Sequence, residues 1–166
     1  GHYVWRHYHR RHQSDIYHRD IKPENIIIQG DRKLFLVDFG IAYYGELSNN
    51  LTNIGNEIGN RFLRLPEFAS GSRSKRTPES DLTLACGIAL YMLTQSYPRV
   101  LVNENGCFPH QTENSIIAIN KLKNSILWNL IFDKAFQPTL SARWNTAEEI
   151  LEILDMDSEN KNTGTL

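Results

Sequence analysis

The feature that most constrains this chain is the run from His18 to Gly40, HRDIKPENIIIQGDRKLFLVDFG. It holds two short β-rich segments, Ile26-Ile27-Ile28 and Leu34-Phe35-Leu36-Val37, joined by Gln29-Gly30-Asp31-Arg32-Lys33. β-Branched and aromatic residues favour a pleated backbone, and a short Gly-containing link favours reversal, so the run predicts an antiparallel hairpin. A hairpin sets its two outer ends side by side. The polar loop that leads in, ending at Asn25, and Asp38-Phe39-Gly40, which leads out, are therefore predicted to be neighbours.

The rest of the chain reads as mainly helical. Tyr3, Val4, Trp5 and Tyr8 predict a helix over residues 3–13. Residues 38–80 carry little periodicity, and only a short helix near Leu65–Ala69 is expected there. So long an irregular stretch inside a compact domain points to function. DLTLACGIALYMLT, Asp81 to Thr94, is apolar nearly all round, the pattern of a helix buried on most sides. Two further helices are expected at about 114–121 and 124–135. The last begins at a capping box, Thr146 with Glu149, and carries Ala147, Ile150, Leu151 and Leu154 on one face. The polar stretch 158–166 is expected to be a disordered tail, with residues 1–157 forming the folded unit.

Composition excludes several function classes. Apolar residues make up 40% of the 166, enough for a sizeable core. Eighteen Lys plus Arg against nineteen Asp plus Glu leave a formal charge of −1, so nothing drives the whole chain toward nucleic acid or acidic lipid. The basic, aromatic WRHYHRRHQ at 5–13 reads as a helix with a solvated basic face, and its histidines lack a well-placed further metal ligand. Cys86 and Cys107 form neither a zinc spacing nor a disulfide framework, so a reducing, cytoplasmic compartment is expected. The apolar run Leu82–Leu93 is too short to span a bilayer, and no secretory signal opens the chain. The chain starts at Gly1, not Met, and is expected to be a fragment.

His18-Arg19-Asp20, then Asn25 after four more residues, then Asp38-Phe39-Gly40, resemble the catalytic-loop and metal-loop signatures of the eukaryotic-type protein kinases. Six specified positions at about one in twenty each make a chance match on the order of one in a million. Lys22 resembles the serine/threonine branch of that family. The resemblance covers roughly residues 2–154 and implies the family's larger, C-terminal lobe, mainly α, with a small β-hairpin carrying the catalytic and metal loops. The N-terminal lobe is absent from it: no GxGxxG and no V-A-I-K-like lysine precede residue 18.

What the resemblance implies can be stated residue by residue. Phosphoryl transfer depends on positioning and charge neutralisation more than on covalent work by the protein. Asp20 is the expected base and Lys22 the expected stabiliser of γ-phosphoryl charge. Asn25 and Asp38 are the expected Mg²⁺ ligands, and Lys22, Glu24, Asn25 and Asp38 the expected contacts of ATP. Arg19 resembles an arginine that pairs with a phosphorylated activation segment, for which Ser48, Thr52, Tyr43 and Tyr44 are candidates. Leu65-Pro66-Glu67 resembles the family's A-P-E triplet, with Arg143 the expected partner of a buried Glu67. Asp81 resembles the aspartate that anchors the catalytic loop's amides. Expected partners are a protein substrate bearing Ser or Thr and the N-terminal lobe, with no nucleic acid.

The chain also departs from the family pattern. Asn60 stands where Thr is usual and keeps a donor and an acceptor toward Asp20 or Lys22. Asp81 and Gly87 are one residue further apart than D-x-W-x-x-G, and Thr83 replaces the aromatic. Two rivals remain beside the kinase reading: a non-catalytic kinase-like binding module, and a small-molecule phosphotransferase, whose H-x-D loops usually continue differently.

Overall fold

The structure is a computed structural model and describes residues 16–18, 20–30, 33–39, 43–44, 62–68 and 77–159. The helix expected at 3–13, Arg19, Ser48, Thr52, Asn60 and residues 160–166 lie outside the described residues.

Four short strands and four α-helices are described. Strand β1 is Ile16–Tyr17, β2 Ile26–Ile28, β3 Leu34–Leu36 and β4 Tyr43–Tyr44. The expected hairpin forms: β2 and β3 are antiparallel, with Ile26 opposite Leu36 and Ile28 opposite Leu34. A second antiparallel pair joins β1 to β4, with Ile16 opposite Tyr44. The sequence pattern did not announce this pair, because strands of two residues have no period to read. The connection 18–25 thus runs from β1 to β2, and residues 37–42 run from β3 to β4. The β2–β3 ribbon and the bond from the Val37 N–H to Asn25 O hold the end of the incoming loop beside the start of the outgoing one.

Helix α1 is Pro78–Thr94, α2 Glu113–Asn120, α3 Ser125–Ala135 and α4 Ala147–Glu159. Helix α1 starts three residues earlier than its apolar pattern suggests. Pro78 opens it, where a missing N–H costs nothing, and Gln95 in the left-handed region (φ 56°) closes it. Leu82, Thr83, Leu84, Cys86, Gly87, Ile88 and Leu90 of α1 are all buried, as an all-round apolar helix requires. Phe62, Leu63, Leu65, Ile119, Ile131, Phe132, Phe136 and Trp144 complete a single core around it. Thr83, in place of an aromatic, donates to the carbonyls of Glu79 and Ala135, both at 2.9 Å, and so ties α1 to the end of α3.

The cap of α4 forms in half. The Glu149 N–H donates to Thr146 Oγ1 at 3.4 Å, whereas the Glu149 carboxylate takes Lys134 Nζ at 2.9 Å. A single turn of 3-10 helix, Pro66–Phe68, stands where the short helix was expected. Helix α4 runs through Ser158 and Glu159, the first two residues assigned to the tail. No helix among the described residues is long and apolar enough to cross a membrane.

Candidate active site

Between Tyr17 and Ile26 the chain alternates anchors and free groups. Ile21 is 3% exposed and plugs into the core, while Asp20 and Lys22 on either side of it reach the rim. Pro23–Asn25 closes as one 3-10 turn, with the Asn25 N–H donating to Lys22 O at 3.0 Å. That turn delivers a buried Asn25 to the start of β2.

Three of the expected site residues meet directly. Lys22 Nζ lies 2.6 Å from Asp20 Oδ2. Asn25 Nδ2 donates to Asp20 O at 2.8 Å and to Asp20 Oδ2 at 3.0 Å. One carboxylate oxygen of Asp20 thus takes two donors, which fixes the plane of the group and leaves Oδ1 outside these contacts. The amide oxygen of Asn25 is likewise unused in them.

Asp38 comes to the same end of the hairpin. The Val37 N–H donates to Asn25 O at 2.9 Å, and Asp38 is the next residue. Its backbone is left-handed, with φ 63°, a region that costs most side chains energy but that Asp tolerates. A left-handed backbone at a residue other than Gly is a place where local strain is stored. Glu24 joins a different neighbour: it is exposed, and its Oε1 accepts from the Tyr97 hydroxyl at 3.0 Å. That bond, with burial and the carboxylate's charge, pushes the Tyr97 phenol above its ordinary value. No pattern in the sequence links these two residues, which lie 73 apart.

His18 holds the two loops together. Its N–H donates to Asp81 Oδ2 at 2.7 Å, so the anchoring expected of Asp81 is formed. Its Nε2 donates to Val37 O at 3.0 Å, and its Nδ1 accepts the Asp20 N–H at 3.4 Å, which sets the tautomer. The Phe39 ring packs edge-on against the imidazole, centroids 4.6 Å apart. The histidine is 1% exposed and acts as a spacer between catalytic loop and hairpin.

Further off, the expected ion pair is present and almost dry. Arg143 Nη1 and Nη2 donate to Glu67 Oε1 and Oε2 at 2.7 and 3.2 Å. Ser80 Oγ adds a third donor to Glu67 at 2.7 Å, a partner that no motif had suggested. Gly87 lies against the chain just before the triplet; a Cβ there would meet Leu63 Cδ2 at 3.2 Å and Phe62 Cε1 at 3.3 Å. The shifted glycine is therefore used for close approach. The Cys86 thiol, fully buried beside it, is pushed up to about 12 by desolvation and is inert.

Known proteins are similar to this chain in sequence. The sequence profile of the protein kinase domain matches residues 6–161. The serine/threonine-protein kinase PknE of Mycobacterium tuberculosis is 37% identical over 87 residues, 52% of this chain and 15% of that protein. The serine/threonine-protein kinase PknA of a Nostoc species is 32% identical over 148 residues, 87% of this chain and 25% of that protein. A probable serine/threonine-protein kinase of Dictyostelium discoideum is 30% identical over 113 residues, 68% of this chain and 12% of that protein. The chain belongs to the protein kinase family. It spans a quarter or less of the length of these relatives.

Proposed function

We propose that the protein carrying this chain transfers the γ-phosphoryl group of ATP to Ser or Thr hydroxyls of protein substrates. The observation that carries the reading is the Asp20 cluster. A carboxylate with one oxygen held by Lys22 and Asn25, at 2.6 and 3.0 Å, presents its other oxygen in a fixed direction. Such a group accepts the substrate hydroxyl's proton and aims its oxygen for in-line attack. Lys22, beside it, supplies positive charge where the transferred group becomes more anionic.

Magnesium fits the donor set. Asn25 offers a neutral oxygen and Asp38 a carboxylate, the hard oxygen ligands this ion takes alongside substrate phosphates. Asn25 and Asp38 would hold it, and it would neutralise phosphate charge when bound. Lys22 and Glu24 complete the proposed nucleotide-facing set. A cytoplasmic setting belongs to the same reading and is supported by two free thiols, Cys86 and Cys107.

The 166 residues alone are proposed to bind ATP weakly, because they contain no glycine-rich phosphate loop ahead of the catalytic loop. The test is phosphate transfer from labelled ATP to Ser-containing peptides by the full-length protein, with Asp20→Ala alongside. Transfer that depends on Mg²⁺ and is lost in the variant supports the reading. Undiminished transfer by Asp20→Ala excludes Asp20 as the base.

A further inference from the structure

We propose that the exposed face of helix α3 is the contact by which two copies of this chain associate, α3 against α3 and antiparallel.

Helix α3 buries one side and leaves the other bare. Ile131, Phe132 and Ala135 are buried in the core, and Trp128 packs against Phe132 with ring centroids 5.6 Å apart. On the opposite side Ile126 is 82% exposed and Leu130 50%. At ~100° per residue, Leu130 stands within ~40° of Ile126 and Asp133 within ~20°, so the three form one stripe. Single apolar residues scattered over a surface need no explanation. Ile126, however, is the most exposed large apolar side chain among the described residues, and Leu130 stands one turn away on the same face.

Charge marks the two ends of the stripe with opposite signs. Lys121 and Lys123, both exposed, lie in the link that leads into α3, and the first turn of the helix holds no acid to meet them. Asp133, its side chain 56% exposed, stands at the other end. His110 Nε2 donates to Asp133 Oδ1 at 2.8 Å, which leaves Oδ2 outside that bond. The neighbouring base, Lys134, turns elsewhere: its Nζ lies 2.9 Å from Glu149 Oε2 and 4.0 Å over the Trp144 ring.

A stripe that runs basic, apolar, apolar, acidic is complementary to itself when reversed. Ile126 and Leu130 lie two residues either side of position 128, and Lys123 and Asp133 lie five. A two-fold axis at the level of Trp128 therefore sets Ile126 of each copy against Leu130 of the other, and each Lys123 against the Asp133 of the other. Such a contact is isologous and closes at two copies. Parallel copies would instead bring lysine to lysine and aspartate to aspartate. This order of charges is what makes a second copy the fitting occupant. Two apolar anchors a side make a small interface, so the pairing is reversible, with Kd on the order of 10–100 μM.

The test is sedimentation of the full-length protein over about a hundredfold range of concentration around that value. A monomer–dimer equilibrium is expected, and Ile126→Glu, at a position that the fold leaves bare, should raise its Kd by about tenfold or more. Lys123→Glu and Asp133→Lys should each weaken self-association, since each brings like charges together. An equimolar mixture of the two should associate more tightly than either alone, because both end contacts then join opposite charges. Should Asp133→Lys fail to fold for want of the His110 bond, Ile126→Glu and Lys123→Glu decide alone, both positions being exposed. A wild-type protein that stays single at every concentration overturns the proposal. So does association that Ile126→Glu leaves unchanged, which would place it on another part of the protein, and so does a mixture no tighter than its components. Peptide phosphorylation plays no part in the measurement, so none of these results bears on the kinase reading.

Discussion

Two ion pairs of nearly equal length sit in opposite surroundings. Lys22 and Asp20 approach to 2.6 Å with side chains 25% and 17% exposed. Arg143 and Glu67 approach to 2.7 Å with side chains 0% and 5% exposed. The difference shows that distance alone does not say what a pair is for. At the rim, water and salt screen the charges, and such pairs add only about 0–1 kcal/mol to stability. They can also exchange partners, as the roles proposed for Asp20 and Lys22 require. In the interior neither charge can be re-solvated, so every lone pair and N–H needs a protein partner. Glu67 has Ser80 besides Arg143, and Arg143 has the carbonyls of Gln137 (2.6 Å) and Pro138 (3.2 Å).

The contrast can be broken most forcefully at the rim. Asp20→Ala should lower kcat by about 10²–10⁴-fold while changing unfolding free energy by no more than about 1 kcal/mol. Peptide kinetics and urea denaturation on the same preparation check both halves, and a large stability loss would erase the distinction. In the interior the signs reverse. Arg143→Ala should cost about 3–5 kcal/mol because Glu67 is left charged and unpaired. Replacing both, Arg143→Met with Glu67→Leu, should recover much of that in the same denaturation experiment. A third, smaller probe touches packing without charge. Gly87→Ala gains about 1 kcal/mol of helix propensity but crowds Phe62 and Leu63, where overpacking costs about 1–3 kcal/mol; a net loss near ~1 kcal/mol is expected.

The smallest effect is a pH slope. His110 is buried among Phe108, Phe132 and Phe136, and burial holds its pKa below the ordinary 6.5, against the pull of Asp133 at 2.8 Å. A lowered folded value means that the unfolded chain takes up the proton first. Stability is therefore fully present above 6.5 and is lost as pH falls below it. Thermal unfolding between pH 7.5 and 5 should show that decline in wild type and a shallower one in His110→Phe. Parallel slopes would assign the pH dependence elsewhere.

Much of this was legible in the residues. The hairpin follows from two β-rich runs and a Gly-containing link, and α1 from its unbroken apolar pattern. The Glu67–Arg143 pair and the Asp81 anchor were readable only through family resemblance, since nothing local joins residues 76 or 63 apart. The β1–β4 ribbon, Ser80's bond to Glu67 and the Tyr97–Glu24 link escaped. Each depends on tertiary placement of a short segment or a single hydroxyl, which leaves no periodicity behind. The early start of α1 did have a signal, Pro78 at its first turn, but the apolar pattern that begins at Leu82 hid it.

His18 has one more consequence. A single imidazole touches the main chain of the proposed base, the carbonyl ahead of Asp38 and the ring of Phe39, while its own amide is tethered to the head of α1. One buried ring thus ties the proposed base, the segment that carries Asp38 and the first turn of α1 into a single rigid unit.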